Sequence, residues 1–212
     1  MDKLKNIFAQ YGIFILGIFH FVGLVGIFKI SQPLFAALSP LILLISALVL
    51  IAAEQGKRKG LVITIVFTFL LGYLVEVLGT KTGFPFGIYW YGDSLWPKVF
   101  GVPLVIGINW FLLTMGAGYF IRYIFTNAFF RIIFAALLMV MLDVFIEPVA
   151  KPLNYWEWLN NIIPLQNFIG WFGVSLLMQI AFHFNLKEHS NKVASAYFII
   201  VAVFFMCLNI VL

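Results

Sequence analysis

Three carboxylates stand where hydrocarbon should forbid them. Glu76 lies near the end of the apolar run 61–78, and Asp143 and Glu147 close the run 129–147. An ionisable group at membrane depth is costly and marks a functional site by default. Asp143 and Glu147 are four residues apart, so they are neighbours on one helical face with Cβ atoms about 5–6 Å apart. Two such carboxyls cannot both ionise cheaply in a low dielectric, so the pair is expected to keep one proton at neutral pH and to titrate as a unit. A retained proton is a general acid, and the chemistry on offer is proton transfer. The plainer reading is that Pro148 ends the helix and Glu147 reaches interfacial water, and that Glu76, with Gly79 three residues on, does the same. Asp93 and Glu157 fall in loops and read as solvated.

Aromatic residues crowd the two loops that follow these acids. Loop 79–101 carries Phe84, Phe86, Tyr89, Trp90, Tyr91 and Trp96, and loop 148–166 carries Tyr155, Trp156 and Trp158. Interfacial belts of Trp and Tyr are general in membrane proteins, but they do not explain this concentration behind the acids. Aromatic faces also stabilise a cation, by about 2 kcal/mol or more once water is excluded. Asn109 and Asn167 bring amides to the same end, able either to hold a water or to bond and cap helices.

The elements that must position these groups are helices in a bilayer. With 64% hydrophobic residues, 10% charged and a mean hydropathy of +1.08, the 212 residues have too little polar surface for a water-soluble globule. The chain reads as an all-α integral membrane protein, one multi-pass domain over 1–212. Seven runs, 7–28, 34–53, 61–78, 102–121, 129–147, 167–184 and 193–212, reach the roughly 18–20 residues that a span needs. The first follows Lys3 and Lys5 like a signal peptide, yet it is too long and lacks a small-residue cleavage site, so it is expected to be retained.

Placing the N-terminus inside puts Lys3, Lys5, Lys57, Arg58, Lys59, Arg122, Arg131, Lys187 and Lys192 in the cytoplasm, with only Lys29, Lys81, Lys98 and Lys151 outside. That bias predicts N-in and C-out, a cell-membrane location, and a site at the extracytoplasmic leaflet. No predicted span has an acid in its inner half. The net charge of +5 is spread thinly, which gives weak attraction to the lipid bilayer and no nucleic-acid signature. The single Cys207 excludes an intramolecular disulfide.

A repeat organises the site. Val102-Pro103-Leu104 followed by Ile108 and Trp110 matches Ile163-Pro164-Leu165 followed by Ile169 and Trp171 at identical spacing. Glu76 precedes Tyr89-Trp90 by thirteen residues and Asp143 precedes Tyr155-Trp156 by twelve. Helices 3–4 and 5–6 thus suggest a parallel helix-loop-helix duplication whose packing brings both acids to one cavity. Other chemistries drop out. His20, His183 and His189 have no metal-ligand spacing, the last predicted span has no Lys for a retinal Schiff base, and Gly23 and Gly26 lie in an apolar helix, not a nucleotide loop. A lone Asp143/Glu147 pair is a weak match to the acid repeats that hold magnesium diphosphate in prenyltransferases. No metal and no cofactor is expected.

The motifs then carry a resemblance. The segment Glu76-Val-Leu-Gly79, Thr82-Gly83-Phe-Pro85-Phe86-Gly87-Ile-Tyr89-Trp-Tyr91, Pro97-Lys98, Gly101-Val-Pro103-Leu104 and Trp110 resembles the membrane carotenoid hydratases that act on γ-carotene or bisanhydrobacterioruberin. The block Leu142-Asp143, Glu147-Pro148-Val-Ala150, Tyr155-Trp156-Glu-Trp158, Pro164-Leu-Gln-Asn167-Phe-Ile-Gly170-Trp171 is similar to that family's second signature. The match covers roughly residues 76–171, and Asn154 stands where its pattern leads one to expect glycine.

The resemblance implies a cofactor-independent enzyme that adds water across the terminal double bond of an acyclic carotenoid end group, giving a tertiary alcohol. In that reading Glu76, Asp143 and Glu147 are catalytic. Phe86, Tyr89, Tyr91, Asn109, Trp110, Trp156, Trp158, Asn167 and Trp171 bind the carotenoid substrate and the cation formed from it. A membrane lycopene cyclase, which quenches the same cation with an internal double bond, and a proton-coupled isoprenoid carrier are the alternatives. The sequence leaves the choice of carotenoid and the oligomeric state open.

Overall fold

The computed structural model describes residues 2–212, with side chains from Asn6 onward, so the side chains of Lys3 and Lys5 lie outside the described residues. Helix α1 (Asp2–Val25) runs on through a π turn (Gly26–Ile30), and α4 (Arg58–Thr82), α6 (Ala128–Ala150), α7 (Leu165–Asn185) and α8 (Lys192–Val211) follow the apolar runs closely. These five are long and apolar enough to cross a membrane.

Two expected spans are shorter than the runs that suggested them. The run 34–53 breaks at Leu38 into α2 (Gln32–Ala37) and α3 (Ser39–Ala53), because Pro40 in the first turn of α3 has no N–H to continue a helix from α2. The run 102–121 yields α5 (Val105–Ile121), its first residues being taken by a strand. At 15 and 17 residues, α3 and α5 rise about 22 and 26 Å. Helix α5 packs against α3, α4, α6, α7 and α8 and is buried on nearly every face. It is apolar all round because it is the centre of the bundle, and a helix enclosed by others need not match the full hydrocarbon thickness.

Alternating helix directions gather the loops at two ends. One end holds the C-termini of α4 and α6, the N-termini of α5 and α7, and α2, tied down by Gln32 donating to the Pro152 carbonyl (2.6 Å) and Trp96 donating to Ala37 (2.8 Å). The acids sit at this end. Here β1 (Tyr89–Tyr91) pairs antiparallel with β4 (Trp156–Trp158), and β2 (Lys98–Val99) with β3 (Val102–Pro103). Asn154 has φ 54°, a left-handed turn that asparagine tolerates in glycine's stead, and its carbonyl accepts from Ser94 N (3.2 Å).

At the opposite end the loops after α3 and α7 clasp through reciprocal backbone bonds between Gln55 and Ser190. Lys57, Arg58, Lys59, Arg122, Arg131, Lys187 and Lys192 all belong to this end, against Lys29, Lys81, Lys98 and Lys151 at the acid end.

Candidate active site

Each acid is carried on the inward stripe of its helix. On α4 the buried set includes Gly72, Tyr73, Glu76 and Gly79, so Glu76 stands between two glycines roughly one turn away on either side. A Cβ at Gly72 would lie 2.5 Å from the Trp110 ring, and one at Gly79 would lie 2.8 Å from the Tyr89 hydroxyl. The bare backbone at these two points lets the rings close on Glu76. On α6 the stripe reads Met139, Leu142, Asp143, Ile146, Glu147 and Ala150. Pro148 lies inside α6, so it does not release Glu147 to interfacial water.

Glu76 is 4% exposed and accepts three hydrogen bonds: from the Tyr89 and Tyr91 hydroxyls on Oε2 (2.8 Å from Tyr91) and from Trp110 Nε1 on Oε1 (3.1 Å). Glu147, 5% exposed, also accepts three, from Trp158 Nε1 (2.6 Å) and Trp156 Nε1 (3.2 Å) on Oε2 and from Asn167 Nδ2 (3.1 Å) on Oε1. The same Asn167 amide donates to Asp143 Oδ2 at 2.7 Å. Asp143 is fully buried, and its Oδ1 has no partner among the described residues.

The loop donors arrive in register. Tyr89 faces Trp158 and Tyr91 faces Trp156 across the β1–β4 pair, with Trp90 and Glu157 between them pointing away. Period-two alternation therefore sends one phenol pair to Glu76 and one indole pair to Glu147. Burial first, and then the carboxylate of Glu76, pushes both phenols far above the ordinary tyrosine range, so each keeps the proton that it donates to Glu76. Trp110 and Trp171, the positions matched by the repeat, stack at 4.1 Å between centroids. The acid equivalent by spacing is not the acid equivalent in bonding: spacing aligns Glu76 with Asp143, but the second loop's aromatics reach Glu147, one turn further on.

These groups surround a small cavity lined by Glu76, Glu147, Phe86, Tyr89, Tyr91, Asn109, Trp110, Trp156, Trp158, Asn167 and Trp171. The sequence-based reading named all of these; the lining adds Ile106, and Asp143 stands behind, reached through Asn167. Among the described residues no Lys, Arg or His lines it, so every donor to the carboxyls is neutral. Asn109 lines the cavity with no hydrogen bond of its own described, whereas Asn167 is occupied by two acids. Trp90 and Trp96 are about half exposed, as an interfacial belt requires, and Asp93 and Glu157 pair with Lys98 (2.9 Å) and Lys151 (2.7 Å) at the surface.

One polar cluster escaped the sequence. Glu54, one residue past the run 34–53, is 3% exposed at the opposite end, where it accepts from the Tyr119 hydroxyl, Asn191 Nδ2 (2.8 Å) and His189 Nδ1 (3.0 Å). A loop acid gives no periodic signal, and its partners lie 65 to 137 residues away in sequence. Tyr119 and Trp110 are separated by roughly 13 Å along α5, whose intervening side chains are wholly buried.

A family model described as carotenoid biosynthesis protein matches residues 35–212. The bisanhydrobacterioruberin hydratase of Haloarcula japonica is 25% identical over 173 residues, covering 78% of this chain and 54% of that protein. The chain thus spans about half the length of the curated relative it matches. No solved structure matches it.

Proposed function

Since the chain belongs to the carotenoid biosynthesis protein family, we propose that it hydrates the terminal double bond of an acyclic carotenoid end group, by protonation and water capture in the aromatic chamber. The observation that carries this reading is that two buried glutamates meet in one ring-lined cavity with no cation among its described lining residues, supported by a third acid. Such a chamber has an acid, a base and a lining of π faces, which are the needs of alkene hydration.

The roles divide by bonding. Asp143 and Glu147 share one amide, and the unpartnered Asp143 oxygen is the natural seat of the pair's proton, since an ionised carboxylate there would be buried and unpaired. The proton moves from Asp143 to its neighbour Glu147, which faces the cavity and passes it to the less substituted alkene carbon. The C=C π pair forms the new C–H bond and leaves a tertiary cation, faced by Trp110, Trp171 and Trp158. Water held at Asn109 supplies the C–O bond and gives its extra proton to Glu76, whose three donors suit the carboxylate form. Return of that proton from Glu76 to the Asp143–Glu147 pair through cavity water restores the site, so the sum is alkene plus water to tertiary alcohol, with no redox change.

In the same reading α3 and α5 complete seven spans around a single domain, and the acid end faces outward because the opposite end holds the excess of Lys and Arg. The parallel duplication accounts for the antiparallel β1–β4 pair, since a two-fold axis along the membrane normal reverses a strand lying in the membrane plane. Expression in a host that accumulates acyclic carotenoids tests the activity: pigments should gain the mass of one or two waters. A ringed, oxygen-free product would assign a cyclase instead, and movement of unaltered label into sealed vesicles would assign a carrier.

A further inference from the structure

A second cavity adjoins the acid chamber. The two share Ile106, Asn109, Trp156 and Trp171 as a common wall, so these side chains stand between them. The second is almost wholly apolar and draws its lining from α1, α3, α5, α6, α7 and α8. Nothing acidic lines it among the described residues. Its far side is formed by Ile42, Leu43, Phe204 and Phe205, which are all half-buried, whereas Val201 and Tyr197 deeper in are buried. Along α8, Tyr197 to Phe205 rises about 12 Å, so the cavity is elongated along the helix axes.

We propose that this cavity is the seat of the long apolar chain attached to the reacting end group, with its mouth in the bilayer between Leu43 of α3 and Phe204 and Phe205 of α8. The inference rests on the hydration reading for what happens in the chamber, but its own claim is binding of a linear unsaturated hydrocarbon. Three observations favour that occupant. The cavity is largely apolar and extends along the helix axes between Tyr197 and Phe205. It shares a wall with the cavity that holds the buried acids of the α4 and α6 stripes. Its rim residues Ile42, Leu43, Phe204 and Phe205 are only half-buried, so the cavity approaches the outside of the helix bundle there. Asn109 at the shared wall is then the boundary: chain on one side, reacting carbon and water on the other. His20 adds one polar edge, its Nδ1 held by the Leu16 carbonyl at 2.8 Å and its ring packed edge-on to Tyr197 and Phe204.

The test fills the cavity from its two depths, with Leu43→Trp at the mouth and Val201→Phe deeper in. Thermal melting in detergent verifies folding of both. Two readouts are taken: equilibrium binding of an acyclic polyene, followed by quenching of tryptophan fluorescence, and turnover of that polyene against a short monoterpene with the same isopropylidene end. Both variants should weaken polyene binding about tenfold or more, since each displaces several methylenes of buried chain. Polyene turnover should fall more than monoterpene turnover in the same variants. Unchanged polyene binding in both folded variants would overturn the proposal, and so would an equal fall for the long and short alkenes. If wild-type protein binds polyene and the variants do not, yet neither alkene is ever hydrated, the chain seat stands and the hydration reading fails.

Discussion

Tyr91 and Trp156 face each other across the β1–β4 pair, their rings edge to face at 6.2 Å, and each donates to a different buried glutamate, Tyr91 to Glu76 and Trp156 to Glu147. The strand pair is thus a bracket that fixes the separation of two acids carried on helices that would otherwise meet only through packing. Preorganisation of this kind is what a proton-transfer site needs, because a displacement of about 1 Å can cost about a hundredfold in rate.

Replacing Glu76 or Glu147 by glutamine keeps the shape and removes the titrating oxygen. Each change should lower hydration by about 10²–10⁴-fold, with the fold retained by circular dichroism. Glu147→Gln should also stop deuterium from D₂O entering the vinylic C–H position of the terminal double bond in recovered substrate, because it removes the donor. Glu76→Gln should leave some of that exchange, because it removes the acceptor of a later proton. Wild-type turnover in both variants would end the acid assignment.

Asn167 joins Asp143 to Glu147 through one amide nitrogen. Asn167→Ala leaves two buried carboxyls short of a donor, so the protein should lose about 1–3 kcal/mol of stability along with its activity. A double variant, Asn167→Ala with Asp143→Ala, should recover part of that stability without recovering turnover, as a thermal shift would show.

Gly72 is a contact of the site that no acid or ring reveals. Its Cβ would lie 2.5 Å from the Trp110 ring, so Gly72→Ala must push the indole off Glu76. The cost should be about 1–3 kcal/mol of overpacking and about a tenfold fall in activity, read together with a change in tryptophan emission. Gly173 has nothing within 4 Å of its Cβ position and supplies the control, Gly173→Ala.

At the opposite end, burial first pushes the Glu54 carboxyl up from its ordinary 4.5, with Tyr119, Asn191 and His189 opposing. The folded state therefore holds that proton more tightly than the unfolded chain does. Its contribution to stability is fully present below the ordinary value and is lost as pH rises through the raised one. Melting temperature should fall as pH rises from about 4.5, and Glu54→Gln should flatten the slope. A melting temperature that instead climbs with pH in wild type and not in the variant would reverse the sign.

The sequence by itself determined the membrane class, five of the helices within a few residues, and nearly every lining residue of the chamber, since hydropathy and intramembrane acids are local signals that a bilayer makes unambiguous. It also carried the Val-Pro-Leu and Ile-Pro-Leu repeat that sets Trp110 against Trp171. Only the tertiary structure decided that Glu147, and not Asp143, takes the second loop's indoles, because that choice depends on strand register and on which turn of α6 faces inward. It alone decided that α5 lies enclosed, that Gly72 makes room for Trp110, and that Glu54 is buried, because each follows from neighbours distant in sequence. A residue's chemistry is written locally, whereas its partners and its exposure are set by how the helices pack.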